Sequence, residues 1–173
     1  MSIHIIIDGY NLIRQSTRLS ILDLQDIQSG RDALVDMLAA YKRIKSHRIT
    51  VVFDGTTAPL LSKQRDRSKG ISIIFSHKGE SADSVIKKMA RKERQGALVV
   101  SSDQDIVQSA EASGATAVDA NEFEKRLTMS FDIDGLPFGR DDYEGWRPTT
   151  KKKGPSRRLS RRQRKKNAKV RKL

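Results

Sequence analysis

Short runs of consecutive apolar residues, many of them β-branched, recur along the first two thirds of the chain, and most of them end at a polar or turn-forming residue. Runs of this length and composition are typical of strands buried on both faces of a parallel sheet. We therefore predict about five strands, at residues 3–7, 49–53, 71–75, 97–100 and 116–118.

Between these runs, apolar residues recur every three or four positions, which is the spacing of one face of a helix. The pattern predicts four helices, which begin after the N-caps Ser29 and Ser81, near Ile106, and at Asn121 in a capping box with Glu124. Strands that alternate with helices indicate an α/β fold in which helices cover both faces of a mainly parallel sheet.

The periodic pattern ends near residue 130, which divides the chain into three parts. Residues 1–130 form the predicted domain, and residues 131–148 are an irregular linker or a segment laid on the domain, rich in Gly, Pro and aromatic residues. Residues 149–173 are a basic tail, in which we expect residues 157–172 to become helical on RNA.

The net charge of +13 comes almost entirely from this C-terminal extension. Of the 34 Lys and Arg residues, 14 lie after residue 146, whereas all 21 acids lie before it. A polycation of this kind binds phosphate backbones by counterion release. A solvated tail that keeps the protein soluble, or a patch for anionic membranes, is the alternative. We assign nucleic-acid binding to Lys151, Lys152, Lys153, Arg157, Arg158, Arg161, Arg162, Arg164, Lys165 and Lys166.

Other features of the composition exclude several classes of chemistry. The chain has no cysteine, which rules out disulfides, thiolate metal sites and a cysteine nucleophile and agrees with a reducing compartment. Its three histidines, His4, His47 and His77, lack metal-ligand spacing. There is neither a secretory signal pattern nor a membrane-spanning run, so we expect a cytoplasmic protein with no membrane partner.

Acidic residues follow the predicted strands. Asp8, Asp54 and Asp103 each come directly or almost directly after a strand, and the carboxyl ends of parallel strands meet at one edge of the sheet, where such folds bind ligands. Asp83, in the first turn of the helix after Ser81, is expected at the same edge. Glu80 just ahead of that helix and Asp105 two residues beyond Asp103 complete the acidic set.

Carboxylates held this close repel one another unless a cation lies between them. Mg²⁺ or Mn²⁺ is the expected occupant, because these hard ions bind carboxylates, water and phosphate oxygens together. Such a site suits hydrolysis of a phosphodiester, since the metal acidifies a water and neutralises charge on the phosphate.

Structural roles compete with this interpretation at most of these positions. Asp54 lies in an Asp-Gly pair typical of a turn, Asp83 can stabilise a helix dipole, and Asp105 can cap the helix that it begins. Asn11 can hold Asp8 or a phosphate, or can serve a turn. Asp8 is the strongest candidate, because a charge at the end of a hydrophobic strand is costly without a metal or a donor.

In chain order, these residues stand in four short motifs: Asp8-Gly-Tyr-Asn11, Val-Val-Phe-Asp54-Gly, Glu80-Ser-Ala-Asp83 and Ser101-Ser-Asp103-Gln-Asp105. With them the chain resembles NYN domains, relatives of the PIN-domain nucleases, and among these the YacP-like group. The resemblance covers about residues 1–130. It implies a PIN-like three-layer αβα fold, Mg²⁺ or Mn²⁺ bound by acids, and endonucleolytic cleavage of RNA, with the ribosome as a candidate partner.

The same resemblance implies a role for each residue. Asp8, Asp83 and Asp103 are the expected metal-binding acids, Asp105 and Glu80 assist them, and Asn11 orients the site. The basic tail is not part of the nuclease core implied by the family.

Three alternatives stay open. A non-catalytic RNA-binding or ribosome-assembly factor would use the tail for binding and keep the acids for structural reasons. DNA is a possible substrate in place of RNA, since nothing in the sequence reads a 2′-hydroxyl. A phosphatase of the haloacid dehalogenase type fits poorly, because it needs a second aspartate where this chain has Tyr10.

Overall fold

The computed structural model describes residues 3–57, 65–133 and 160–173, which fold around a six-stranded sheet. The strands are β1 (His4–Asp8), β2 (Arg48–Phe53), β3 (Arg65–Ser68), β4 (Ile71–Phe75), β5 (Ala97–Val100) and β6 (Thr116–Val118). Their spatial order is β3, β4, β2, β1, β5 and β6, and all are parallel except β3 at one edge. This confirms the predicted α/β fold with a mainly parallel sheet.

The five predicted strands are all present, and β3 is the additional one. Its sequence, Arg-Asp-Arg-Ser, contains no apolar residue, because β3 is an edge strand that is paired on one side only and is largely exposed. Charged residues are common on such edges, since they discourage pairing with other chains. Lys69 and Gly70, both with positive φ, form the tight turn from β3 into β4.

Helices cover both faces of the sheet. The helices are α1 (Gly9–Gln15), α2 (Thr17–Gln25), α3 (Ile27–Ile44), α4 (Ala82–Glu93), α5 (Gln104–Ala112), α6 (Ala120–Ile133) and α7 (Arg161–Val170). Two of them, α1 and α2, were not predicted, because they fill the connection between Asp8 and the long helix α3, where the apolar spacing is weak. No helix in the described ranges is long and apolar enough to cross a membrane.

The capping hydrogen bonds confirm one predicted helix start and correct another. Ser81 caps α4, with its side chain accepting a hydrogen bond from the backbone N–H of Ser84 at 3.2 Å. The prediction that Ser29 caps α3 is wrong, because Asp26 accepts from the N–H of Ser29 at 2.8 Å and the helix begins earlier. Apolar spacing locates the interior of a helix, whereas its first residue depends on local side-chain bonding.

The predicted capping box of α6 is also wrong. Asp119 precedes the helix, and its carboxylate accepts from the N–H of Asn121 at 2.9 Å. Glu124, predicted to close the box, instead accepts a hydrogen bond from the Ser16 hydroxyl at 3.2 Å. A tertiary contact with α1 and α2 therefore replaces the expected local one.

The buried side chains form two clusters, one on each face of the sheet. Ile5 and Ile7 of β1 face α3, where Leu34 is fully buried, while Ile6 faces the opposite layer. That second layer contains Ile86 of α4 and Ile106 of α5. Burial on both faces explains why β1 is apolar at nearly every position.

Helix α7, within the predicted basic tail, packs beside β6. This segment is helical without RNA, whereas we expected RNA to induce the helix. Two apolar side chains within the basic run explain the docking, since Val170 packs against the core and Leu173 is 6% exposed. The buried Tyr41 hydroxyl donates to the backbone oxygen of Leu173 at 2.6 Å, and Arg126 donates to that of Val170 at 3.1 Å.

The remainder of the extension lies outside the described residues. Helix α6 continues to Ile133, past the predicted domain boundary at residue 130. The rest of the predicted linker and the first part of the tail fall within residues 134–159, which include Lys151, Lys152, Lys153, Arg157 and Arg158.

Gly55 follows Asp54 in the turn after β2, and we expect this position to tolerate no side chain. A Cβ there would lie 1.9 Å from the backbone oxygen of Ser76, which cannot rotate away. We expect Gly55→Ala to lower the free energy of unfolding by about 1–3 kcal/mol, the usual cost of overpacking, in urea denaturation. Gly96→Ala is the control, because no atom lies within 4 Å of its added Cβ. Equal urea midpoints for the two variants would contradict the prediction.

Candidate active site

Three of the predicted acids lie at the carboxyl edge of the sheet. Asp8 ends β1, and Asp103 follows the neighbouring parallel strand β5. Asp83 lies in the first turn of α4, which packs against β1 and β5. The negative charges of Asp83 and Asp103 both reach Asp8 and favour its protonated form. The fold therefore brings these three carboxylates to one crevice.

Asp8 is the most constrained of the three. Its carboxylate accepts hydrogen bonds from the backbone N–H of Asn11 at 3.2 Å and from the Ser101 hydroxyl at 3.4 Å. Burial, together with the negative charges of Asp83 and Asp103, raises the pKa of Asp8 to about 6, although these two hydrogen bonds lower it. At neutral pH the ionised form of Asp8 is costly, and a nearby cation would relieve that cost.

Asn11 connects two parts of the site. Its backbone N–H binds Asp8, and its side-chain oxygen accepts a hydrogen bond from the backbone N–H of Ser102 at 2.9 Å. Ser102 lies in the turn that carries Asp103. Asn11 thereby holds the start of α1 against the end of β5, which agrees with an orienting role.

Asp103 caps α5 in addition to facing the crevice. Its Oδ1 accepts from the backbone N–H groups of Asp105 at 2.8 Å and Ile106 at 3.3 Å. The N–H of Asp103 itself donates to the Ser101 hydroxyl at 3.1 Å. A carboxylate has about four acceptor positions on two oxygens, so capping does not exhaust its capacity to bind a ligand.

The two acids predicted to assist the metal ligands are paired with lysines. Asp105 forms an ion pair with Lys87, and Glu80 forms one with Lys88. The hydrogen bond to Asp105 raises the pKa of Lys87, and the charges of Asp105, Asp83 and Asp103 raise it further. Lys87 is thus a cation beside the acid cluster. Sequence reasoning missed it, although it lies one helical turn after Asp83.

Asp54 serves the turn after β2. Its carboxylate accepts from the backbone N–H of Thr56 at 2.9 Å and from the Thr56 hydroxyl at 2.7 Å. These bonds lower the pKa of Asp54, as does the backbone of Ala82 at the start of α4. The residue therefore lies at the border of the site and has the turn role considered for it.

Asp119 is an acid at the same edge that sequence reasoning missed. It follows β6 directly, which is the signal that selected Asp8. Its carboxylate accepts from the Ser102 hydroxyl at 2.7 Å, and this bond lowers the pKa of Asp119. Ser102 thus lies between Asn11 and Asp119 and joins the ends of β1, β5 and β6.

The donor set fits a partly hydrated divalent cation. Among the described residues, no three acidic or histidine side chains are grouped as a ready metal-ligand set. Mg²⁺ is usually held by only one or two carboxylates, with waters and substrate phosphates as its other ligands. The half-buried Asp8, with Asp83 and Asp103 near it, provides carboxylates of this kind.

The predicted RNA-binding residues within the described ranges lie on α7. Arg164 and Lys165 are exposed, and Lys166 is half-buried beside Glu111, with 3.3 Å between the charged atoms. Arg161 and Arg162 belong to the first turn of the helix. A row of basic residues therefore follows the edge of the domain next to β6.

Comparison with known proteins identifies similar chains. Residues 5–172 match the family model of the YacP-like NYN domain, so the resemblance extends beyond residue 130 and includes the basic tail. The "Uncharacterized protein YacP" of Bacillus subtilis (strain 168) is 31% identical over 87 residues, which are 50% of this chain. The matched region spans about half (51%) of that curated relative.

Two solved structures have a similar fold. The crystal structure of Rae1 (YacP) from Bacillus subtilis superimposes with a TM-score of 0.63 at 28% identity, covering 78% of this chain and 79% of that one. A single-residue variant of the same protein gives a TM-score of 0.62 at 25% identity, covering 76% and 79%.

Proposed function

Because the chain belongs to the YacP-like NYN family, whose domains are generally nucleases with a PIN-like fold, we propose that it is an endoribonuclease dependent on Mg²⁺ or Mn²⁺. The proposed metal-binding acids are Asp8, Asp83 and Asp103. RNA is the substrate that family membership favours.

A single observation carries the proposal: the charges of Asp83 and Asp103 converge on the half-buried carboxylate of Asp8. If these acids served only as helix caps, each could lie in solvent beside the N–H donors of its own helix, away from the other two. Concentrating three carboxylates at one crevice destabilises the protein unless a ligand of positive charge uses them.

The contacts of each residue in the site indicate its role in the proposed reaction. Asp8, Asp83 and Asp103 would hold the metal, which supplies an acidified water and neutralises charge on the phosphate when bound. Asn11 keeps the two strand ends in register by its bonds to Asp8 and Ser102. Lys87 lies close enough to Asp83, Asp103 and Asp105 to attract a phosphate to the same crevice.

Basic residues of the tail supply the affinity for RNA. Arg164 and Lys165 expose their charges on α7, and further Lys and Arg residues precede the helix in the sequence. Contacts of this kind bind phosphates without reading sequence, so they favour long RNA such as that on ribosomes. We include ribosome-associated RNA in the cytoplasm among the proposed targets.

Cleavage of end-labelled single-stranded RNA and DNA of one sequence by the purified full chain tests the proposal. We expect RNA to be cut internally with Mg²⁺ or Mn²⁺ and to stay intact in EDTA. The Asp83→Asn, Asp103→Asn double variant is expected to lose cutting, while Asn still caps α5. Asp36→Asn is the matched control, since this exposed acid on α3 pairs with Lys69 at the opposite edge of the sheet.

A non-catalytic RNA-binding factor is the second candidate. It is favoured by the pairing of Asp105 and Glu80 with lysines and by the lack, among residues 3–57, 65–133 and 160–173, of a ready three-ligand set. If the wild-type protein and the double variant bind RNA equally and neither cuts free RNA or ribosomes in any metal, the binding factor is the correct interpretation.

A further inference from the structure

A small cavity lies beside the acid cluster, between the carboxyl ends of β5 and β6 and helix α7. Its volume is about 190 Å³. Ser101 and Ser102 line it from the end of β5, Val118 from β6, Val107 from α5, and Lys166 from α7. The cavity is therefore enclosed partly by the C-terminal extension, which is the part of the chain that sequence analysis treated as separate from the domain.

Ser101 lies between the cavity and the candidate active site. The hydroxyl of Ser101 donates to Asp8 at 3.4 Å and accepts from the N–H of Asp103 at 3.1 Å, and the same residue lines the cavity. A group bound in the cavity would therefore be separated from Asp8 by Ser101.

The lining of the cavity suits one aromatic heterocycle. Val107, Ala117 and Val118 form an apolar wall, and a polar wall is formed by Ser102, Gln104, Asp119 and Glu122. At about 190 Å³ the cavity is smaller than the roughly 300–1,000 Å³ of pockets for drug-sized ligands, so it admits a single ring system and not a longer chain segment. A flat ring with hydrogen-bonding groups on its edge matches both walls.

Two adjacent lysines of α7 face different surroundings. Lys166 lines the cavity and is held beside Glu111. The Nζ of Lys165 lies 3.4 Å from the side-chain oxygen of Gln95, which precedes the amino end of β5. The tertiary structure thus gives one lysine access to the cavity and directs its neighbour to the opposite end of the strand.

We propose that this cavity binds one nucleobase of single-stranded RNA, next to the phosphodiester presented to the acids, and that α7 completes the subsite through Lys166. This inference rests on the proposed function for its choice of RNA. It makes α7 a part of base recognition, in which Asp119 and Lys166 provide an acceptor and a donor for the edge of the base, in addition to a binder of phosphates.

Binding of short RNA oligonucleotides with one abasic position each tests the subsite. Fluorescence anisotropy in EDTA measures the affinity of the full chain without any cleavage. We expect loss of the base at one position to weaken binding to the wild-type protein by at least about fivefold, the lower end of the range for one bound base of a single strand. Val107→Phe, which fills the cavity without changing charge, and Lys166→Gln are expected to remove this dependence on position.

Lys165→Gln is the matched control for Lys166→Gln. Both changes remove one positive charge from α7, so both weaken binding through the loss of a phosphate contact, but only Lys165→Gln keeps the abasic position effect. Thermal unfolding checks that each variant folds, and if Val107→Phe does not fold, the comparison of the two lysine variants still decides the question.

Two results would overturn the inference: wild-type binding that is insensitive to every abasic position, or a position effect that survives in Lys166→Gln. Failure of the nuclease proposal gives a different result, in which the position effect is present but no metal supports cutting.

Discussion

Asp8→Asn is expected to slow RNA cleavage by on the order of a hundred- to a thousandfold and, at the same time, to make the folded protein more stable at pH 8. The loss of activity follows from removing the charge at the centre of the acid cluster. Asn retains the shape of Asp and is an equally good cap for α1, so the fold is not expected to change.

The gain in stability follows from the raised pKa of Asp8. A carboxyl group with a pKa of about 6 in the folded protein and about 3.9 when unfolded binds its proton more tightly in the folded state. The group therefore does not reduce stability below pH 3.9, and its cost grows as the pH rises from 3.9 to 6. Above both values the cost is on the order of 3 kcal/mol, which Asn avoids.

Urea denaturation of the wild-type protein and Asp8→Asn at pH 8 and pH 5 in EDTA measures this effect. The stability difference is expected to fall to about half at pH 5, which lies between the two pKa values. Adding Mg²⁺ at pH 8 is expected to stabilise the wild-type protein more than the variant, because bound metal shifts the unfolding equilibrium. A variant that is less stable than wild type at both pH values would contradict the prediction.

Arg31→Ala is expected to lower the free energy of unfolding by about 3 kcal/mol. The Arg31 side chain is only 3% exposed, and its guanidinium carbon lies 5.3–5.6 Å from the ring centres of Tyr10, Phe53 and Phe75. Its Nε donates to the Tyr10 hydroxyl at 2.9 Å. Truncation opens a cavity and removes a donor from a partly buried hydroxyl, and both changes destabilise the fold.

Arg31→Ala is also expected to disturb the positions of Asp8 and Asn11 in the candidate site, because Tyr10, which Arg31 holds, lies between them in the chain. Arg31→Lys should be intermediate, since an ammonium cannot stack on three rings as a planar guanidinium does. Urea denaturation at pH 7 measures all three proteins, with Arg43→Ala on the exposed face of α3 as the control that changes stability by less than about 0.5 kcal/mol. If Arg31→Ala matched this control, Arg31 would have no role in stability.

The burial of Arg31 illustrates what a single sequence conceals. In the helical pattern of α3 it is one charged residue among several, and nothing local distinguishes it from Arg43. Only the packing of α3 against α1 and β2 places aromatic rings around it. Lys87 shows the same effect, because its ion pair with Asp105 joins α4 to α5, 18 residues apart in the chain.

The parallel sheet and the position of the acids at its edge could be predicted from the apolar runs and from the residues that follow them. Both follow from short-range physics, since a strand buried on two faces must be apolar throughout and its end must carry the polar residues that face a ligand. Asp8 and Asp103 were predictable for this reason, and Asp83 was predictable from its place in the first turn of a helix.

Contacts between distant parts of the chain determine which of the polar residues meet. The edge strand β3 lacks an apolar signal because one of its sides is unpaired, and the caps Asp26 and Asp119 depend on backbone geometry that periodicity does not record. Helix α7 joins the domain through the contact between Tyr41 and Leu173, which are 132 residues apart. Such long-range contacts depend on the shape of the folded surface, and no local pattern in the chain encodes that shape.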